Sequence, residues 1–255
     1  MEVAARRLEG KCALVTGAAR RIGRAISLAL AREGANVAVH YSRSGREAVE
    51  LAAEIESLGV QAVALGADLA DPDQLAGLIE RAREALGTIE ILVNNASIFP
   101  SDTLETLDLA GLERSIEINA WAPLVLTRAL AAQSERGHVI NLLDSRVSGF
   151  DHTHAAYILS KHVLSAITRT AAIELAPGIA VNGIAPGLIL PPAGKDEQYV
   201  ERLAQTVPLK RSGAPEDIAA AVVYLATSEF VTGETIYVDG GRHLKEDFFD
   251  GPDSR

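Results

Sequence analysis

The sequence predicts an α/β protein with one domain over residues 1–255, built on a doubly wound parallel sheet of about seven strands with helices on both faces. Three observations carry that prediction. Short β-branched runs alternate with longer stretches of helical period along the whole chain. Runs such as ILVNN and VINLL are apolar almost throughout, as strands covered on both faces must be. A length of 255 residues, with 48 % apolar and 23 % charged side chains, suits one large core.

The elements follow in order. Cys12–Thr16 reads as the first strand, with helical period over Arg21–Glu33. Asn36–Tyr41 pairs with a helix over Arg46–Leu58, and Gln61–Leu65 with one over Pro72–Leu86. Ile89–Asn94 leads to a long helix from about Leu109 to Gln133, and His138–Leu143 to one over Tyr157–Ala176. Ile179–Ile184, a helix over Pro215–Thr227 and the strand Thr235–Val238 complete the alternation. Gly34, Gly59, Gly87 and Gly137 each follow a helix, where a left-handed terminal residue is wanted. Ala185–Gly194 is rich in Pro and Gly, so 185–210 is expected to form a lid over a site. Residues 245–255 read as a polar tail, frayed or reaching a neighbouring subunit, and Trp121 as a core or interface residue.

Composition excludes several classes. With 24 Lys+Arg against 34 Asp+Glu the chain carries −10, the wrong sign for a general nucleic-acid binder. The single cysteine, Cys12, rules out an internal disulfide and the zinc-ribbon spacings. His152 and His154 lack neighbouring Cys or carboxylate ligands and read as polar loop, so no metal is expected. The opening MEVAARRLEGK is no secretory signal, and the longest uncharged stretch, Leu175–Gly194, is broken by prolines. The expectation is a soluble, cytoplasmic protein acting on a small molecule, with no membrane partner.

Chemistry begins at TGAARRIG, Thr16–Gly23, between the first strand and its helix. In this Rossmann-type position Gly17 and Gly23 let backbone N–H groups approach a pyrophosphate, with Arg20, Arg21 and Ile22 opening the helix. An NAD site has a carboxylate about 20 residues further on; Asn36–Arg46 has none. It offers His40, Tyr41, Ser42, Arg43 and Ser44 instead, groups suited to a 2′-phosphate. From Ala18 to Arg46 there are six Arg and one Glu, a local +5, so NADPH/NADP+ is the expected cofactor. Further on, Tyr157 and Lys161 lie four apart on one helix face. An ammonium there favours the tyrosinate and makes the phenol a usable proton donor.

Together with ADL (Ala67–Leu69), NNAS (Asn94–Ser97), Asn119, YILSK (Tyr157–Lys161) and APGLI (Ala185–Ile189), these pieces resemble the short-chain dehydrogenase/reductase family over almost the whole chain. The resemblance implies cofactor contacts at Asp68, Leu69, Asn95, Ala96, Ser97, Pro186, Gly187 and Leu188. It implies that Lys161 also holds the nicotinamide ribose, that Asn119 connects a proton path to solvent, and that the chain forms a homotetramer packed through its long helices.

Three departures from the family pattern point to a branch. Arg21 replaces the third glycine, Ser97 replaces the usual glycine after Asn-Asn-Ala, and Asp144 stands thirteen residues before Tyr157, where the catalytic serine is usual. Ser145 comes one place too late, with its side chain pointing differently. These features, with His40–Ser44, resemble the pteridine reductases, and DGGRHL (Asp239–Leu244) looks like the ending of bacterial dihydromonapterin and dihydrofolate reductases. Phe99 matches the aromatic that stacks on the pterin in that branch. The resemblance thus implies a substrate site of Arg21, Ser97, Phe99, Asp144 and Tyr157, with Asp144, Tyr157, Lys161 and Asn119 catalytic.

The chemistry agrees, because a carboxylate repels a developing alkoxide but tolerates a C=N bond whose nitrogen must gain a proton. Asp144 is expected to oppose loss of the Tyr157 proton and to relay its replacement. The function expected is therefore NADPH-dependent reduction of a pterin or dihydropterin such as dihydrobiopterin, dihydromonapterin or dihydrofolate. Two alternatives stand beside it. One is a general carbonyl or alcohol oxidoreductase, 3-oxoacyl reductase-like, working through Ser145. The other is a non-catalytic NADP-sensing protein, against which Asn119, Tyr157 and Lys161 argue.

Overall fold

The structure, a computed structural model, describes residues 6–149, 152–191 and 196–245. Seven strands form one wholly parallel sheet in the order β3-β2-β1-β4-β5-β6-β7. They are β1 (Cys12–Val15), β2 (Asn36–Tyr41), β3 (Ala62–Gly66), β4 (Ile89–Asn94), β5 (Gly137–Leu142), β6 (Ile179–Pro186) and β7 (Thr235–Val238). The helices are α1 (Arg21–Arg32), α2 (Gly45–Glu56), α3 (Pro72–Ala76), α4 (Leu78–Leu86), α5 (Leu109–Ile116), α6 (Ala122–Gln133), α7 (Ala155–Glu174), α8 (Glu197–Ala204) and α9 (Pro215–Ala226). The Rossmann-like single domain expected from the sequence is what the chain forms.

Side-chain alternation divides the core. Along β1, Ala13 and Val15 face α1, α2 and α9 with Ile26, Leu30, Leu51 and Val222. Cys12 and Leu14 face the other way, into a layer with Leu78, Leu126, Leu130 and Ala171 from α4, α6 and α7. The chain runs outward from β1 to β3 and then crosses back to β4. This reversal opens a crevice at the carboxyl ends of β1 and β4, where ligands bind in open α/β sheets.

Local chemistry accounts for the differences from the predicted elements. Gly77 separates α3 from α4 within the helix expected as continuous. The long helix Leu109–Gln133 is interrupted by a π-helical turn, Glu117–Trp121, just before Pro123, whose missing N–H cannot close a normal turn. Gly34, Gly59 and Gly87 have the expected positive φ, but Gly137 does not. It begins β5, and a Cβ there would lie 2.6 Å from the Glu90 carbonyl oxygen; α6 ends instead at Ser134. The predicted lid is partly regular: β6 continues to Pro186, and Asp196 caps α8 by accepting from Tyr199 N at 3.0 Å. Residues 192–195 of it lie outside the described residues, as does the polar tail beyond Lys245. Trp121, expected in a core or interface, is half exposed beneath the Arg128 guanidinium. No helix among the described residues is long and apolar enough to cross a membrane.

Candidate active site

The crevice is a cavity of about 540 Å³. Gly17, Arg20, Arg21, Ile22 and Gly23 line one wall with His40, Tyr41, Ser42, Arg43 and Ser44; Asp68, Leu69, Asn95, Ala96 and Ser97 line the other. The predicted phosphate loop and 2′-site therefore converge on one space. Gly17 has φ +60°, and a Cβ on Gly23 would lie 2.3 Å from Gly17 O, so only glycine lets the turn fold under α1. Asn95 braces the turn by donating to Thr16 O at 2.8 Å and Gly17 O at 3.0 Å.

His40 differs from its expected role. It is 1 % exposed, accepts from Gly17 N at 3.1 Å and lies 3.1 Å from Ala67 O, to which Nε2–H donates. Burial lowers its pKa to about 4, with the Ala67 carbonyl opposing. A neutral imidazole with both nitrogens engaged ties β1 to β3 and offers nothing to a phosphate. Arg20 pairs with Glu47, whereas Arg21 donates to Pro191 O at 2.8 Å and so joins the glycine turn to the segment after β6.

The second group sits where β5, α7 and the π-helical turn meet. Asp102, distant in sequence, accepts from Ala156 N at 2.9 Å and caps α7 just before Tyr157. Tyr157 donates its hydroxyl to Asp144 Oδ2 at 2.9 Å. Asp144 is thus the partner of the phenol, and Ser145, next to it, is buried. Lys161 is 2 % exposed, donates to Leu142 O at 2.7 Å and has its Nζ 5.7 Å from the Tyr157 ring centre. Burial lowers its pKa to about 8 against the pull of Asp144. Burial pushes the Asp144 carboxyl up, but the charge and hydrogen bonds of Arg146, with the Tyr157 hydroxyl, outweigh it and hold it below the usual carboxylate range. The balance favours the ionised form of Asp144, ready to accept the phenol's hydrogen bond.

Asn119 is 1 % exposed, and its amide is bonded on both sides. Its oxygen accepts from Ser97 Oγ at 3.0 Å and Ile98 N at 2.9 Å; its nitrogen donates to Ile98 O at 3.0 Å and Ser160 Oγ at 2.9 Å. It clamps the end of β4 to α7. Phe99 is 40 % exposed and meets Tyr157 edge-on at 4.6 Å, so it stands at the surface beside the Tyr157–Asp144 pair rather than in the core.

Pro186 at the end of β6, with Gly187 and Leu188 after it, lies outside the lining of the cavity, as do Phe99, Asn119, Asp144, Tyr157 and Lys161. Gly187 N donates to Val238 O at 3.0 Å, and the Leu188 side chain packs on Val200 and Ala204 of α8. Sequence reasoning missed three neighbours. Arg146 grips Asp144, His154 stacks on Phe99 at 4.1 Å, and Arg114 of α5 lines the cavity beside Ile118. Among the described residues no three His, Cys, Asp or Glu side chains group to hold a metal.

Comparison with known proteins follows this geometry. The FolM alternative dihydrofolate reductase 1 from Brucella canis, solved with NADP, superposes with a TM-score of 0.91 at 37 % identity, covering 98 % of this chain and 100 % of that one. The L-rhamnose 1-dehydrogenase (NAD(P)(+)) of Sphingomonas sp. (strain SKA58) is 35 % identical over 93 % of this chain and 98 % of its own. The 3-oxoacyl-[acyl-carrier-protein] reductase FabG of Staphylococcus epidermidis (strain ATCC 35984 / DSM 28319 / BCRC 17069 / CCUG 31568 / BM 3577 / RP62A) is 35 % identical over 92 % and 99 %. The family described as Enoyl-(Acyl carrier protein) reductase matches residues 17–243, and with these relatives it establishes that the chain belongs to the short-chain dehydrogenase/reductase family.

Proposed function

We propose that this protein is an NADPH-dependent reductase that adds hydride to a C=N bond of a pterin or dihydrofolate-like substrate. The observation that carries the reading is the 2.9 Å bond from the Tyr157 hydroxyl to Asp144 beside the half-exposed ring of Phe99. A carboxylate at this position opposes an alkoxide but not a ring nitrogen that is about to be protonated.

The residues present fit the cofactor. The N-terminus of α1 and the glycine turn suit a pyrophosphate, and Arg43 with Ser42 and Ser44 suits a 2′-phosphate. When bound, NADPH supplies the hydride. Tyr157 delivers the proton to the substrate nitrogen, and Asp144 orients the phenol while Lys161 stabilises the phenolate left behind. Phe99 gives the flat ring a face to lie on, with Ser97 and Arg21 near its polar edge. Structural similarity to the NADP-bound Brucella dihydrofolate reductase supports the assignment.

A carbonyl or alcohol oxidoreductase acting through Ser145 is the second reading, favoured by the rhamnose dehydrogenase and oxoacyl reductase relatives. NADPH oxidation measured with dihydrobiopterin, dihydromonapterin, dihydrofolate and small ketones separates the two. Pterin turnover is expected, abolished in Asp144→Ala and nearly unchanged in Ser145→Ala. Ketone turnover alone, lost in Ser145→Ala, refutes the pterin assignment.

A further inference from the structure

Asp144 leaves β5 in an extended conformation, and the chain then tightens into a 3₁₀ turn, Ser145–Ser148. That turn carries Arg146 back over its near neighbour. Arg146 donates to Asp144 Oδ1 from its backbone N and from Nε, each at 2.9 Å. Nη2 donates to Oδ2, also at 2.9 Å, the same oxygen that takes the Tyr157 hydroxyl. The guanidinium lies 5.3 Å from the centre of the Phe99 ring and 5.6 Å from that of Tyr157. One side chain thus touches the carboxylate, the proton donor and the aromatic platform.

We propose that Arg146 is a positioning residue of this active site, whose two-pronged grip fixes the Asp144 carboxylate as the hydrogen-bond acceptor that orients the Tyr157 hydroxyl. The proposal rests on reading Tyr157 as the proton donor. A planar fork holds both carboxylate oxygens in one plane, so Oδ2 stays in place to orient the phenol while the Tyr157 O–H remains free to turn towards a substrate. Among the described residues, the groups facing Asp144 are Arg146 from its own turn, Tyr157 and Lys161 from α7, and Arg242 from the 3₁₀ turn Arg242–Leu244. Lys161 loses its charge at about pH 8, whereas a guanidinium keeps its charge at every working pH. Arg146 therefore keeps the acceptor charged where Lys161 no longer helps.

The test reads Asp144 directly and needs no substrate. Aspartate is labelled with ¹³C at the side-chain carboxyl, and Asp144 is assigned by its loss in Asp144→Asn. In the native protein its resonance should stay flat from about pH 5 to 8. In Arg146→Leu it should titrate within that range, at a pH well above the native one, because the buried carboxyl has lost its partner. Arg146→Lys keeps a cation and the stem but not the fork, so its midpoint should fall between the two. A flat resonance in the Leu variant, or a Lys variant indistinguishable from native, overturns the proposal.

A double-mutant cycle supplies the second readout. The loss of kcat caused by Arg146→Leu should shrink to about twofold or less in the Asp144→Asn background. Equal losses in both backgrounds overturn it. Absence of pterin turnover would defeat the proposed substrate while leaving the carboxyl titration to decide the role of Arg146.

Discussion

Arg21 begins α1 with φ 55°, a left-handed conformation that costs a side-chain-bearing residue about 1 kcal/mol or more. It stands where the family pattern has glycine, so backbone comfort has been exchanged for a guanidinium at the cavity wall and a bond to Pro191 O. Arg21→Gly should raise the melting temperature by ~3 °C while raising the KM for NADPH several-fold. A melting temperature lower by several degrees would mean that the Arg21–Pro191 bond outweighs the strain. Arg21, Asp144 and Tyr157 were legible as departures or matches at fixed spacing. Arg146 was not, because its place over Asp144 depends on a 3₁₀ turn that a strand-end reading does not supply. The adjacent D-S-R pattern, with opposite charges two residues apart, was the available signal.

At the scale of elements, β2 is fastened to its neighbours through a side chain. His40 links the turn after β1 to the chain just beyond β3, and it does so only as a neutral ring. Burial lowers its pKa in the folded protein from 6.5 to about 4. Above pH 6.5 both folded and unfolded chains are neutral at this position and nothing changes. Between 6.5 and about 4 the unfolded chain takes up a proton that the folded one refuses, so stability falls by up to roughly 3 kcal/mol. The urea midpoint should therefore drop from pH 7.5 to 4.5, and His40→Gln should flatten that dependence although it lowers the midpoint at pH 7.5. His138, lowered by burial and by Lys11, adds a smaller slope of the same sign that the variant retains. An undiminished slope in His40→Gln would show that the link does not control it. The strands were legible because continuous apolar runs of four to eight residues fit a doubly covered sheet and little else. The helix breaks were less legible. Pro123 inside a helical pattern signalled the π-helical turn, and Asp196 before EQYVERLA signalled α8, but both were absorbed into longer segments.

Over the whole molecule, the alternation of elements was enough to give the parallel sheet, but the crevice at β1 and β4 and the charge around it need the fold. The stretch Ala18–Arg46 counts +5 only because it stops one residue before Glu47. In three dimensions α2 returns over α1, pairing Arg20 with Glu47 and Arg24 with Glu54, while Arg46 pairs with Glu50 one turn on in α2. Arg43 lines the cavity with no ion pair among the described residues, and Arg21 bonds only to backbone. We therefore assign the proposed 2′-phosphate contact chiefly to Arg43 rather than to the whole basic stretch. Arg43→Ala should raise the KM for NADPH roughly tenfold and leave that for NADH within about twofold, the loss expected of one charge-assisted contact. Glu47→Gln should act in the opposite sense, freeing Arg20 and lowering the KM for NADPH with little change in stability, because an ion pair at the surface contributes little. Initial rates with both dinucleotides decide the matter. Equal changes for NADPH and NADH in Arg43→Ala would remove the 2′-phosphate from this corner of the cavity.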